Sequence, residues 1–325
     1  MANKLPFLSI VFPLLNEETV LPELIRRLRA VMADLEAKNI LRGHEFIFGD
    51  DASTDNSVQV LKDLDAGHND IRIVTMSRRF GISPSIMAGL SYACGDACVF
   101  MEADLQDQPE LVPEMVRAWQ DGADVVHTVR RSRKGESPFK LFVTKIGYFI
   151  LNRYSSIPLP SEAGDFKLLS RRAVKELLLL KEHRPYVRGL ACWIGFKQAF
   201  VYYGRDARFS GQSKYFVLSK RVIDNFFNSA LINFSSVPLK IASYCGLAAI
   251  LVDFGIMIVA LVSKINGQTV PGWTALMIAV LFLGGVQLFC IGMIGVYLNA
   301  VHEQTKSRPN YIVESTYGFK NSASN

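Results

Sequence analysis

Apolar and polar positions follow two alternating periods along the first 130 residues of the chain. Residues 8–14 form a short apolar run rich in β-formers, and residues 20–36 set Leu21, Leu24, Ile25, Leu28, Val31, Met32 and Leu35 on one helical stripe. The alternation then repeats. Strands are predicted over 45–49, 71–76, 97–101 and 124–129, and helices over 56–64, 83–93 and 110–120. Strands and helices at this spacing predict βαβ units and a mostly parallel sheet covered on both faces. In such sheets ligands bind beyond the carboxyl ends of the strands.

Past residue 130 the pattern changes. Residues 130–137 (RRSRKGES) are polar and basic and predict a loop, and residues 138–154 predict an amphipathic helix. Residues 216–234 mix aromatic and aliphatic side chains with Lys220, Arg221 and Asp224. That mixture fits a helix lying on a bilayer surface better than a core-packed one. Residues 241–262 and 273–301 are each apolar for longer than the roughly 20 residues that span a bilayer. A short polar turn, SKINGQTVPG, joins them, which predicts a two-helix transmembrane hairpin. Lys214, Lys220, Arg221 and Lys240 precede the hairpin, Lys306 and Arg308 follow it, and the turn carries Lys264 alone. The positive-inside bias then puts the front domain and the tail in the cytoplasm, at an inner or plasma membrane. Asp253 falls mid-span, where a carboxylate is costly. It would face a polar channel, or be protonated and packed between helices. The glycines of GGVQLFCIGMIG are compatible with close helix packing and an oligomer. At the N-terminus, MANKLPFLSIVF does not read as a signal peptide, because its apolar run is broken by Pro13 and followed by Glu17 and Glu18. The expected divisions are a cytoplasmic domain over 1–212, a juxtamembrane amphipathic segment over 213–238, the hairpin over 239–302 and a cytoplasmic tail over 303–325.

Composition narrows the partners. Half of the 325 residues are hydrophobic, the mean hydropathy is +0.19, and the net charge of +6 gives a pI near 9.0. A basic chain suits nucleic acid, an anionic membrane surface or phosphate-bearing substrates. No zinc-finger spacing and no basic-aromatic motif supports nucleic acid, and the long apolar segments favour the other two. The five cysteines are scattered and odd in number, which predicts no disulfide framework. His44, His68, His127, His183 and His302 show no metal spacing and read as bystanders.

Chemistry gathers at the predicted strand ends. The first strand runs into Pro13-Leu14-Leu15-Asn16-Glu17-Glu18, the second into Asp50-Asp51-Ala52-Ser53-Thr54-Asp55, and the fourth into Glu102-Ala103-Asp104-Leu105-Gln106-Asp107. A single acidic loop is commonly a solvated turn with Asx caps. Three such loops converging on one crevice would repel one another without a cation. A diphosphate substrate with Mg²⁺ or Mn²⁺ meets that need, because one or two carboxylates and the substrate's phosphates complete a hard oxygen shell. Glu102 and Asp104, two residues apart, can point the same way, and Gln106 can add a carbonyl or a water contact.

VFPLLNEE, GDDASTD, EADLQDQPE, GDFKLLSR, VRGLACWIGF and ARFSGQSKY stand in this order. Together they resemble family 2 glycosyltransferases, and more narrowly the polyprenyl-phosphate glycosyltransferases, a group that includes dolichol-phosphate mannose synthase. With the two C-terminal spans, the chain is most similar to the bacterial bactoprenol glucosyltransferases. The resemblance implies a Rossmann-like GT-A domain and inverting transfer of a hexose from a nucleotide-sugar to a polyprenyl phosphate such as undecaprenyl phosphate. It favours UDP-glucose over UDP-N-acetylglucosamine and GDP-mannose, and it suggests a homotetramer. By the same resemblance Pro13, Leu15 and Glu17 line the nucleotide, Asp51 binds the base, and Glu102, Asp104 and Gln106 form the metal triplet. Glu102 stands where the family usually has Asp, and its longer arm weakens the case for direct ligation. Arg130 and Lys145 correspond to positions that hold the acceptor phosphate, Asp165 lies near the sugar, and Lys214 reaches the diphosphate. Each has a plainer alternative: a solvated basic loop for Arg130, snorkelling at the membrane surface for Lys145, and a turn cap for Asp165. Trp193 is expected in the core. The rival functions are a processive polysaccharide synthase, whose Gln-x-x-Arg-Trp motif and extra membrane helices are missing here, and a non-enzymatic membrane scaffold.

Overall fold

A computed structural model describes residues 5–132, 163–182, 185–204, 237–266 and 272–319. The chain divides into two units, one built on a β-sheet and one on two long helices.

In the first unit β1 (Phe7–Leu14), α1 (Leu21–Ala37), β2 (Gly43–Asp50), α2 (Ser57–Asp65), β3 (Ile71–Met76), α3 (Ile82–Tyr92) and β4 (Ala97–Phe100) follow in order. A 3₁₀ turn (Pro109–Leu111) leads into α4 (Val112–Gln120) and β5 (Val125–Ser132). Then come β6 (Ala163–Ser170), α5 (Arg171–Leu179), α6 (Val187–Trp193) and β7 (Gln198–Gly204). The last strand, β8 (Val313–Tyr317), follows the helical unit in sequence and returns to this sheet. The strand order is β7-β5-β6-β4-β1-β2-β3-β8.

The alternating pattern explains the layers. Leu8, Ile10, Phe12 and Leu14 of β1 point to one face and are buried against the stripe Leu21, Leu24, Ile25, Leu28, Met32 and Leu35 of α1. Each such side chain contributes about 1.5–3 kcal/mol on burial. Phe12 and Phe48 stack on that face with centroids 4.8 Å apart. On the other face α3 approaches closely because Gly49 and Gly89 have no side chain. A Cβ on Gly89 would stand 2.4 Å from Val11 Cγ1, and one on Gly49 would stand 2.4 Å from the Ser85 carbonyl oxygen.

The sheet is mixed rather than mostly parallel. β1–β2, β1–β4, β2–β3 and β5–β7 pair parallel, whereas β4–β6, β5–β6 and β3–β8 pair antiparallel. The basic stretch expected as a loop begins inside a strand, since Arg130, Arg131 and Ser132 complete β5 beside β7. Trp193, expected in the core, is 53% exposed at the end of α6.

The second unit holds α7 (Val237–Ile265) and α8 (Trp273–Thr305). They touch each other, and the Cys290 thiol donates to the Ala242 carbonyl at 3.2 Å. Both predicted spans are therefore helices. Among the described residues, Phe282–Thr305 is the segment long and apolar enough to cross a membrane, with a mean hydropathy of 1.6 and none of its window buried. The predicted helix over 138–154, the juxtamembrane helix over 216–234, and Lys145 and Lys214 lie outside the described residues.

Candidate active site

Because β4, β1 and β2 are adjacent and parallel, their C-terminal ends open at one edge of the sheet. The loops after β1 and β2 are laced together there. The Asn16 amide donates to Ser53 Oγ at 3.1 Å, the Thr54 amide to Asn16 Oδ1 at 2.8 Å, and the Glu17 amide to Ser57 Oγ at 2.9 Å. The Glu18 amide donates to Asp55 Oδ2 at 3.3 Å, and the Asn56 amide returns to Glu18 Oε2 at 2.9 Å. Each of the three loops also bends through a left-handed residue that is not glycine: Asn16 (φ 54°), Ala52 (φ 58°) and Leu105 (φ 57°). L-residues avoid this region on steric grounds, and such outliers cluster at functional sites.

The acidic side chains occupy distinct environments. Asp51, 4% exposed, accepts from the Phe80 amide at 2.6 Å, and both of its oxygens accept from the Gly81 amide at 3.0 Å. The Arg79 Nε lies 3.9 Å away. Asp51 thus holds the loop that starts α3, a task beyond the base contact expected of it. Asp50 is buried beneath. Burial pushes its carboxyl above the usual range, against hydrogen bonds from Ser53. Asp104 is 5% exposed and accepts the Gln106 amide at 3.1 Å, while Glu102 and Gln106 are half-buried. Asp107 is buried and accepts the Tyr203 hydroxyl of β7. Pro13, Leu15 and Glu17 are half-buried at the end of β1.

The antiparallel register brings β6 to the same edge. Phe100, the last residue of β4, pairs with Lys167, so the start of β6, with Asp165, lies at the C-terminal end of β4. Asp165 is no turn cap. It lies within β6 and is gripped by Arg188 of α6, Nε to Oδ1 at 3.2 Å and Nη2 to Oδ2 at 2.6 Å. Arg130 sits on β5 with its backbone in register with Tyr203; its side chain lies outside the described residues.

Among the described residues, no three His, Cys, Asp or Glu side chains stand close enough to hold a metal by themselves. The donor set is one or two carboxylates at a strand end. That suits Mg²⁺ or Mn²⁺ arriving with phosphate oxygens and water, and it does not suit a resident structural metal.

Arg188, Lys167, His127 and Gln198 are absent from the sequence reading of the site. The signal for Lys167 was present, since it stands with Asp165 in strand rhythm, alternating with apolar Phe166 and Leu168. His127, read as a bystander, is fully buried and hydrogen-bonded to Lys167 at 2.8 Å.

The family model for glycosyl transferase family 2 matches residues 9–178. An uncharacterized glycosyltransferase of Bacillus subtilis (strain 168) is 39% identical over 96% of this chain and 95% of its own length. A bactoprenol glucosyl transferase of Shigella phage SfX is 31% identical over 95% of this chain and 99% of its own. Among solved structures, a mannosyltransferase from Pyrobaculum calidifontis in complex with GDP-Man and Mn²⁺ aligns over 93% of this chain and 88% of its own, at 14% identity and a TM-score of 0.47. The acidic strand ends lie inside the matched segment, and the chain belongs to glycosyl transferase family 2.

Proposed function

We propose that the protein transfers a hexose, glucose from UDP-glucose, to a polyprenyl phosphate at the cytoplasmic face of a membrane, with inversion at the anomeric carbon. The observation that carries this reading is the convergence of three acidic, left-handed loops at one sheet edge, with Asp165 on the adjoining strand β6. The names of the relatives, bactoprenol glucosyl transferase among them, support the acceptor and the sugar. The apolar helix Phe282–Thr305 supports the membrane. We take α7 as a second span, with the catalytic domain and C-terminus on the cytoplasmic side and several copies assembling.

In the proposed reaction an oxygen of the polyprenyl phosphate attacks the anomeric carbon, and the bond from that carbon to the nucleoside diphosphate breaks. A phosphate monoester has a second pKa near 6, so the acceptor is already largely dianionic at neutral pH. It needs no general base, which fits a site of carboxylates and cations rather than a histidine relay. Asp104, with Glu102 and Gln106, would hold Mg²⁺ or Mn²⁺, which when bound neutralises charge on the diphosphate. Pro13, Leu15, Glu17 and Asp51 would line the nucleotide, and Asp165 would face the sugar. Arg130, Lys145 and Lys214 would meet phosphates. Catalysis is then positioning and charge stabilisation.

The test is transfer to undecaprenyl phosphate in detergent from labelled UDP-glucose, UDP-N-acetylglucosamine and GDP-mannose, with and without chelator. Metal-dependent transfer from UDP-glucose, reduced about 100-fold or more in Asp104→Asn, is expected. Transfer that survives both Asp104→Asn and chelation would overturn the metal role. A growing polymer would point to a synthase, and donor neither bound nor consumed would point to a scaffold.

A further inference from the structure

A circuit of hydrogen bonds, closed through the covalent frame of Cys192, Arg188 and β6, runs through the edge of the sheet next to the candidate site. Lys167 of β6 is fully buried, with its Nζ 2.8 Å from Nδ1 of His127 on β5. An ammonium donates only, so Nδ1 must accept and the imidazole proton sits on Nε2. That nitrogen lies 3.0 Å from Oε1 of Gln198 on β7, and the Gln198 amide group donates in turn to the Cys192 carbonyl of α6 at 3.3 Å. One turn back on α6, the Cys192 thiol meets the Arg188 carbonyl at 3.6 Å, and the Arg188 guanidinium closes on Asp165, two residues before Lys167 on β6. Donor and acceptor roles agree at every step, so one tautomer of His127 and one orientation of Gln198 satisfy the whole circuit.

An apolar seam would hold α6 on the sheet without burying a lysine and a histidine, each costly unless fully matched. What a directional circuit adds is a single geometry. Its partly exposed members are Gln198 and the Arg188–Asp165 pair, the latter 27% and 20% exposed, with Asp165 on the strand next to β4. Burial, and then the charge of Lys167, push His127 down to about 3. The ring therefore keeps the same tautomer through the neutral range. The Phe200 ring stacks on it at 5.4 Å and closes the outer side.

We infer that His127, Lys167 and Gln198 are positioning residues that lock α6 against β5, β6 and β7 and so fix Arg188 and Asp165 for sugar transfer. This rests on the proposed transferase reading for its catalytic consequence, though not for the circuit itself.

The experiment compares full-length wild type with His127→Leu, Lys167→Met and His127→Gln. It measures transfer kinetics and, separately, amide hydrogen exchange across residues 187–193. A loss of about tenfold or more in kcat is expected for His127→Leu and Lys167→Met, with KM for the nucleotide-sugar unchanged, because the nucleotide loops lie on β1 and β2. Exchange over α6 should quicken in both. His127→Gln, whose amide can accept from Lys167 and donate to Gln198, should restore both readouts. Full kcat in His127→Leu would overturn the inference, and so would lost kcat with α6 protection unchanged. If wild type transfers no sugar at all, the transferase reading fails and the exchange arm decides alone. Faster α6 exchange in His127→Leu, restored in His127→Gln, then supports the circuit, and unchanged exchange overturns it. Should Lys167→Met not fold, His127→Leu against His127→Gln carries the test.

Discussion

At φ 58°, Ala52 holds a backbone conformation that its own Cβ disfavours by about 1–2 kcal/mol. That bend turns the chain after Asp50 and Asp51 so that Ser53 and Thr54 meet the β1 loop. Ala52→Gly should therefore raise stability, by up to about 1 kcal/mol once glycine's greater unfolded freedom is subtracted. A denaturant melt of the detergent-solubilised protein checks this, and a fall in stability would show that the Ala52 methyl is used elsewhere. Asp51 gives the complementary case. It accepts from two backbone amides of the loop opening α3, so Asp51→Ala should cost about 1–3 kcal/mol of stability in addition to donor affinity. Measuring the melt and donor binding together separates the two. Weakened binding with an unchanged melt would mean that the amide contacts are expendable. At this scale the acidic residues are legible in the sequence because carboxylates after apolar runs have few other uses. Arg188 and His127 are not, because their partners lie 23 and 40 positions away and only the sheet register joins them.

At the scale of elements, β1 through α4 are legible because each carries its own period, and the structure moves their ends by only a residue or two. β6 is harder to read: its polar residues Asp165 and Lys167 face a second buried layer, so the alternation resembles a solvent-facing strand or a turn. β8 is harder still. Five residues, three of them exposed, pair with β3 only because the chain returns from the helical unit to that edge. Its docking matters to the site. The Ser77 amide donates to the Ile312 carbonyl at 2.9 Å just before the loop that meets Asp51. From the other side the same loop is set by α3, whose approach depends on Gly49. Gly49→Ala would drive a Cβ to 2.4 Å from a backbone carbonyl, which cannot swing away as a side chain could. A loss of about 1–3 kcal/mol is expected, with weakened donor binding as α3 shifts. Unchanged thermal stability would show that α3 can move outward freely.

For the molecule as a whole, two histidines of the sheet unit, His127 and His44, the best buried among the described residues, pull stability in opposite directions with pH. His127 faces Lys167 of β6 and Gln198 and Phe200 of β7. Burial and the Lys167 charge hold it down to about 3, so between its ordinary value near 6.5 and 3 the unfolded chain binds a proton that the fold refuses. Stability is lost there as pH falls. His44, between Glu36 at the end of α1 and Asp70 before β3, is the reverse. Burial opposes its charge, but the Asp70 and Glu36 carboxylates outweigh it and raise its pKa. Its contribution is complete below 6.5 and is lost as pH rises through the raised folded value. The carboxylates reinforce the acid side: Asp70 is desolvated, yet Arg29 and His44 hold it well below its ordinary range, and Arg172 does the same for Asp124. Asp50 and Glu182, raised by burial, take up protons in the fold before the unfolded chain does, and so offset part of the loss above their ordinary values of 3.8 and 4.5. The sheet unit should therefore be most stable a little below neutrality. Denaturant midpoints from pH 4 to pH 9 on wild type, His127→Gln and His44→Gln resolve the two limbs. His127→Gln should lessen the loss below pH 6.5 by at most about 1.4 kcal/mol per pH unit, the slope of one proton. His44→Gln should lessen the loss above pH 6.5. A His127→Gln profile parallel to wild type on the acid side would mean that the imidazole is protonated in the fold, and the donor roles around Lys167 would have to be reassigned.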